Sequence, residues 1–264
     1  MVVDNGLRCG IQQLLVLVAS VLSCSVSTAS DLILTDGRAF PGQLWESQSG
    51  APARPIHRRE ATADPAYPRA AMKIAHATVG PDGKIYFVSG LDGYVIHLLD
   101  GRNEVLSFEF PGQIRDVDSG NEEHTVYFSV VPTPQNGEPL ADGKIYRRDL
   151  WAGHPSEAAT VRQSEIGGGW WGTFAIQDGT AYIATFESPS RLFKLTSAGP
   201  EPVFTANRFK IHGLTADDEG SFLVTDGTGT VYRTRDFVTV EPVLQTDGNF
   251  TDVSLRPAAP TTGP

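Results

Sequence analysis

The sequence predicts an all-β protein: a β-propeller of four-stranded blades, five in number with six as the alternative, in which the first and last strands complete one blade. Three observations carry this prediction. The stretch His212 to Asp236 reads as a three-stranded meander, with apolar Gly213 to Ala216, β-rich Ser221 to Thr225 and alternating Val231 to Thr234 separated by turns at Asp217 to Gly220 and Asp226 to Gly229. The unit recurs: its anchors Tyr86, Tyr127, Tyr182 and Leu223 lie 41, 55 and 41 residues apart, a blade period once one insertion is allowed for. Each end of the chain also carries the part of a unit that the other end lacks. Strands this short cannot bury a core as a lone sheet, so the repeats must pack on one another.

Taken in order, LILTDGRAFPGQLWES (32 to 47) aligns on the repeat with Thr35-Asp36-Gly37 over Thr225-Asp226-Gly227, which places it at a second strand with no first strand before it. The missing strand is NFTDVSLRP (249 to 257), so residues 31 to 60 and 249 to 257 are expected to form the closing blade of a single domain spanning 30 to 264. Such closure removes the unpaired edge between the first and last units. Residues 48 to 72 are rich in Pro and Ala and read as a connector, apart from a short outer strand at Arg54 to Arg58. HATVGPDGKIYFVSGLDGYVIHLLDG (76 to 101) is the next unit, with an outer strand at Val105 to Phe110. A third begins at Ile114 to Val117, runs through Thr125 to Val130 and resumes at Asp142 after an insertion, Val131 to Ala141, that reads as a surface loop or a binding loop. The fourth spans 168 to 195 with an outer strand near Val203-Phe204, and the fifth is the unit described first, with Val240 to Leu244 outermost. Asp82, Asp142 and Asp178 each precede a glycine before a strand and read as turn formers. No stretch has the caps and the 3.6-residue period of a long helix.

Composition narrows the function. A net charge of −10 with no local run of Lys and Arg excludes nucleic acid as an expected partner. Residues 1 to 29 differ from the rest: Arg8, an uncharged run from Ile11 to Leu22, then Ser27 and Ala29 in an A-x-A-like spacing, the pattern of a cleaved secretory signal. Its apolar core is shorter than the roughly 18 to 20 residues of a membrane span, and no later stretch approaches that length. The mature protein is therefore expected to be secreted or periplasmic. Both cysteines, Cys9 and Cys24, lie in the leader, so no thiolate site is expected in the mature chain; a lipid anchor at Cys24 is the alternative, from the loose lipoprotein box at 21 to 24.

His212-Gly213-Leu214-Thr215-Ala216-Asp217, followed by Gly220 and Phe222 to Asp226, resembles the blade pattern of gluconolactonase-like (senescence marker protein) and NHL-repeat propellers, and HATVGPDGKIYFVSG is a weaker copy. In the gluconolactonase-like enzymes the resemblance implies a divalent cation at one end of the channel, held by Glu, Asn and Asp residues that directly precede the opening-strand Gly. The matching positions here are Ala75, Arg115, Trp171, His212 and Thr251. None is an acid or an Asn, and an Arg in that ring opposes a hard cation. No metal or other cofactor is therefore expected, with a weak divalent-cation site at Asp116 and Asp252, one position along, as the alternative.

The GGGWWG run (167 to 172) lacks the Lys, Ser and following helix of a phosphate loop, no Ser sits in a nucleophile elbow, and no two His residues have metal-ligand spacing. What remains is a ring at the expected channel mouth: His76, Arg115, Trp171, His212 and Asp252, with Trp170 and Asp116 beside it. Each has a structural alternative, as hydrogen-bonded filler for the histidines, inter-blade packing for the tryptophans and an ion pair for Arg115 with Asp116. Two functions are open. One is a binding module, with Trp171 as an exposed flat face and His212, Arg115 and Asp252 fixing a small molecule such as a sugar or sugar acid, or with the loops presented to a protein partner. The other is a lactonase-type hydrolase or lyase, with His212 as base, Arg115 stabilising an oxyanion and Asp252 orienting the imidazole.

Overall fold

A computed structural model describes residues 31 to 59 and 73 to 256, apart from positions 38, 40, 49–50, 81, 90–94, 121–123, 133–140, 151–153, 168–169, 208–209 and 218. The expected leader, most of the insertion after Val131, the Asp92-Gly93 turn and the connector at 60 to 72 lie outside the described residues. The chain opens with β1 (Asp31–Asp36), β2 (Gln43–Ser47) and β3 (Arg54–Arg58). Four complete blades follow. They are β4 (Ile74–Val79), β5 (Ile85–Ser89), β6 (Val95–Asp100) and β7 (Asn103–Glu109); β8 (Ile114–Asp118), β9 (Thr125–Val130), β10 (Gly143–Asp149) and β11 (Ser156–Val161); β12 (Trp171–Gln177), β13 (Thr180–Thr185), β14 (Ser190–Thr196) and β15 (Gly199–Ala206); and β16 (Gly213–Ala216), β17 (Phe222–Thr225), β18 (Thr230–Thr234) and β19 (Glu241–Gln245). The last strand, β20 (Phe250–Arg256), pairs antiparallel with β1 to give the sheet β20-β1-β2-β3. The described residues thus form five four-stranded antiparallel blades, closed by the two ends of the chain.

There is no single core. Strand alternation sends successive side chains to opposite faces, and each face meets a different neighbouring blade. In β5, Ile85 and Phe87 join the cluster shared with the closing blade, while Tyr86 and Val88 join the one shared with the following blade. Phe222 and Val224 likewise face backward and Leu223 forward. Five clusters result, one at each blade interface. The outer strand β11 has no counterpart in the sequence reading, because Ser156 to Thr160 are exposed or half-buried and carry no apolar alternation. Pro200, Pro202 and Pro242 sit on outermost strands, where a missing N–H breaks no ladder.

The innermost strands β4, β8, β12, β16 and β20 touch one another around the axis. Four of them share an irregularity near their start, where the register with the neighbouring strand shifts at Ala75, Arg115, Gly172 and Thr251. In the fifth, both the His212 N–H and Gly213 meet Thr225, which places His212 at the same position. A bulge residue inverts the facing of everything before it. That is why Ile74, Ile114, Trp171, Ile211 and Phe250 all turn into the inter-blade cores.

Candidate functional site at the channel mouth

Beyond each bulge the first residue faces the axis, and those residues are His76, Asp116, Thr173, Gly213 and Asp252. They form a buried polar layer. An innermost strand has no ladder partner on its channel side, so its N–H groups there need other acceptors. At several blade junctions the preceding blade supplies them. Asp252 Oδ2 accepts from the Ala77 N–H at 2.9 Å and Ser254 Oγ from the Val79 N–H at 3.2 Å. Asp116 Oδ2 accepts from the Phe174 N–H and from the Thr173 hydroxyl, both at 2.9 Å, and Asp118 Oδ2 accepts from the Ile176 N–H at 2.7 Å. Gly213 is required here, because a Cβ at that position would lie 2.6 Å from Asp252 Oδ1.

His76 Nδ1 lies 3.1 Å from Asp116 Oδ1 and 3.5 Å from Asp252 Oδ2. Burial opposes its protonation, but the two carboxylates outweigh that and raise its pKa to about 10, so at neutral pH it is an imidazolium held between two acids. Asp252 is pushed up to about 6, chiefly by burial, with His76 pulling the other way. Burial drives Asp118 further, to about 7, against the Ile176 hydrogen bond and with Asp116 and Asp252 adding repulsion. The ligand atoms of His76, Asp116 and Asp252 lie within 4.8 Å of one another, the spacing of a cation site. A cation would meet competitors there. The imidazole carries the proton a metal would have to displace, and Asp116 Oδ1 already accepts from Val117 N–H at 2.7 Å while its other oxygen takes two donors. At the bulge positions, where the resembling enzymes carry oxygen ligands, stand Ala75, Arg115, Gly172, His212 and Thr251; none is a carboxylate.

Those bulge residues line the mouth above the polar layer. Arg115 is half-buried, which lowers its pKa; it donates through Nη2 to Gln113 Oε1 at 3.0 Å, and its guanidinium lies over the Trp170 ring at 5.2 Å. Trp170 meets Phe186 at 5.6 Å between ring centroids. Phe186 meets His212 edge-on at 5.7 Å, and Lys210 Nζ sits 5.0 Å from the Phe186 ring. Gly172 makes this possible: the Phe186 ring occupies the place where a Cβ at residue 172 would stand. The result is a continuous strip, Arg115-Trp170-Phe186-His212, with Lys210 on its flank.

The expected ring is therefore divided. Arg115, Trp170 and His212 share the mouth, whereas His76, Asp116 and Asp252 lie beneath it in the buried layer. The expectation of an exposed Trp171 is corrected: it is 0 % exposed and packs against Gly143 with Tyr127, Ile145 and Phe174. The cause is a one-residue slip. Gly172, not Trp171, is the bulge in β12, so Trp171 takes the core position held elsewhere by Ile74, Ile114 and Phe250. Aligning the large apolar residues three before each inward-packed core residue, rather than the glycines, would have found this. Phe186 and Lys210 were missed because both lie beyond strand ends, where no periodicity marks them.

No protein-family model matches the sequence, and neither does any curated protein. Solved structures do match. A gluconolactonase from Xanthomonas campestris, described as important in glucose secondary metabolic pathways, superposes with a TM-score of 0.50 at 13% identity, covering 85% of this chain and 80% of its own. A protein of unknown function from Bacteroides caccae gives 0.51 at 10% identity, covering 87% and 100%. The likeness is one of fold. It places the chain beside gluconolactonase-type propellers as an architecture, and residue roles must come from the site itself.

Proposed function

We propose that this protein is an extracytoplasmic binding module whose channel mouth takes a small carboxylate-bearing molecule of sugar-acid size. The observation that carries the reading is the cationic and aromatic strip at the mouth of a chain whose net charge is −10. Arg115 and Lys210 bring positive charge to one place, and Trp170 and Phe186 give apolar ring faces between them. A carboxylate supplies both the negative charge and the acceptors. Removal of residues 1 to 29 would put the mature chain outside the cytoplasm.

The test is calorimetric titration with D-gluconate and D-glucuronate as probes, and methyl glucoside as the uncharged control. Carboxylate binding that falls about ten- to a hundredfold in Arg115→Gln and again in Lys210→Gln is expected, since each loses a charge-assisted hydrogen bond worth about 1.5 to 3 kcal/mol. Equal affinity for the uncharged control would overturn the reading. Turnover of D-gluconolactone that disappears in His212→Gln would replace it with the hydrolase. Mass spectrometry of exported protein checks the location: a first residue near position 30 is expected, and an intact Met1 would refute it.

A further inference from the structure

Above the bulge residues the inner strands carry a further rim. Two positions before each bulge stand Lys73, Gln113, Trp170, Lys210 and Asn249, every one of them half-buried and followed by a residue of an inter-blade core. Contacts fix three of the five at the mouth: Gln113 accepts from Arg115, Trp170 lies against the Arg115 guanidinium, and Lys210 meets the Phe186 ring. The shared register puts Lys73 and Asn249 on the same rim. Rim and bulge positions together hold three basic residues, Lys73, Arg115 and Lys210, and no acid. The acids on adjoining loops are engaged in their own turns. Glu187, next to Phe186, takes Arg191 Nη2 at 2.7 Å; Asp226, before the Gly227 that abuts His212, takes the Thr228 N–H and hydroxyl, both at 2.8 Å; and Asp36, before the Gly37 that abuts Thr251, takes the Ala39 N–H at 3.1 Å.

Ring order decides how these charges face one another. The inner strands touch in the cycle β4-β8-β12-β16-β20 and back to β4. In a ring of five, the junction of β20 and β4 lies directly across from β12. The strip is centred on β12 through Trp170, with Arg115 from β8 and Lys210 from β16 on its flanks. Asn249 and Lys73, leading into β20 and β4, therefore stand on the opposite side of the mouth.

We propose that the mouth takes a dianionic sugar acid of the aldarate class, with one carboxylate on the strip and the other at Lys73, an inference that rests on the reading of the mouth as an acid site. Basic groups on opposite sides call for negative charge at both ends of the ligand. An aldonate or a uronate carries it at one end only. The Asn249 amide both donates and accepts, as the hydroxyls between two carboxylates require.

The experiment is calorimetric titration of the whole mature chain with D-glucarate and D-gluconate, which differ only in the second carboxylate. Glucarate should bind about ten- to a hundredfold more tightly, the effect of one further charge-assisted contact. Lys73→Gln should remove that advantage and leave gluconate affinity unchanged, which also shows that the variant keeps its fold. Lys84→Gln makes the same charge change at the other end of β4, where Lys84 pairs with Asp100 at 3.4 Å, and should leave the advantage intact. Equal affinities, an advantage that survives Lys73→Gln, or one lost equally in Lys84→Gln would overturn the inference. In each of those cases the mouth reading itself still stands if Arg115→Gln weakens both acids. Binding of neither acid would remove both readings.

Discussion

Asp118→Asn should make the protein more stable at pH 8, and the size of the gain follows from the axial layer. Asp118 is buried, accepts one backbone N–H from the next blade, and shares the layer with Asp116 and Asp252. Its pKa rises from an ordinary 3.8 to about 7, so the folded state holds its proton more tightly than the unfolded chain does. The sign follows from linkage: an acid with a raised folded-state pKa costs nothing below the unfolded value, an increasing amount between about pH 4 and 7, and a constant amount above. At about 1.4 kcal/mol per pH unit between the two values, the ceiling is about 4 kcal/mol. The new amide Nδ2 must find its own acceptor, which we take to consume about half of that. A gain of about 2 kcal/mol at pH 8 corresponds to a Tm rise of roughly 4 to 8 °C for a chain of this size. Urea denaturation of both proteins from pH 4 to 8.5 measures it. The gap should open through that window and then level off. A gap that does not change with pH, or an Asn variant less stable at pH 8, would show that the carboxylate is not ionised against its surroundings, and the account of the layer would fail.

Three other outcomes follow from the same structure. Trp171→Ala should destabilise the protein by about 3 to 5 kcal/mol in denaturant unfolding, as truncation of a buried aromatic does, and a change below about 1 kcal/mol would place the indole outside the core. Deleting residues 249 to 264 should sharply lower the melting temperature, because it strips β20 from β1 and with it Phe250 and Val253 from one core and the Asp252 and Ser254 acceptors from β4; unchanged melting would contradict the closure. Calorimetry with Ca²⁺, Mn²⁺ and Zn²⁺ should show no stoichiometric binding in the micromolar range, and tight binding lost in Asp252→Ala would show that His76 gives up its proton to a metal.

The architecture was legible because turn chemistry and alternation are local. Thr35-Asp36-Gly37 could be laid on Thr225-Asp226-Gly227, and that single alignment implied the split blade that β20 and β1 form. The site was legible only in part. Arg115 and His212 were found because each directly precedes the opening-strand position at which the resembling enzymes carry their ligands; that this position is a bulge leaves no mark in composition. Where two tryptophans adjoin a glycine, at 170 to 172, one residue of slip exchanged a core side chain for a mouth side chain. The role of Phe186 depends on the empty space over Gly172, fourteen positions away in sequence. That is a contact between a strand and a residue just past the end of its neighbour, and no pattern within either segment encodes it. Nothing in the sequence singles out Asp118; its burial and its place beside the other axial carboxylates make its proton unusual.

The pairing of Asp31 with Arg256 brings the two ends of the described chain side by side. The ring therefore has no preferred starting blade. A short linker from Arg256 to Asp31, with new ends cut between Thr196 and Gly199 at the tip of the β14–β15 hairpin, would give a circular permutant in which the split blade becomes continuous and another is divided. Cut there, the mouth strip keeps all its residues on uninterrupted segments. For a sensor built on this scaffold, a reporter could then be inserted at the new ends, on the hairpin of the two outer strands and off the inner strands that carry the Arg115 and His212 bulges.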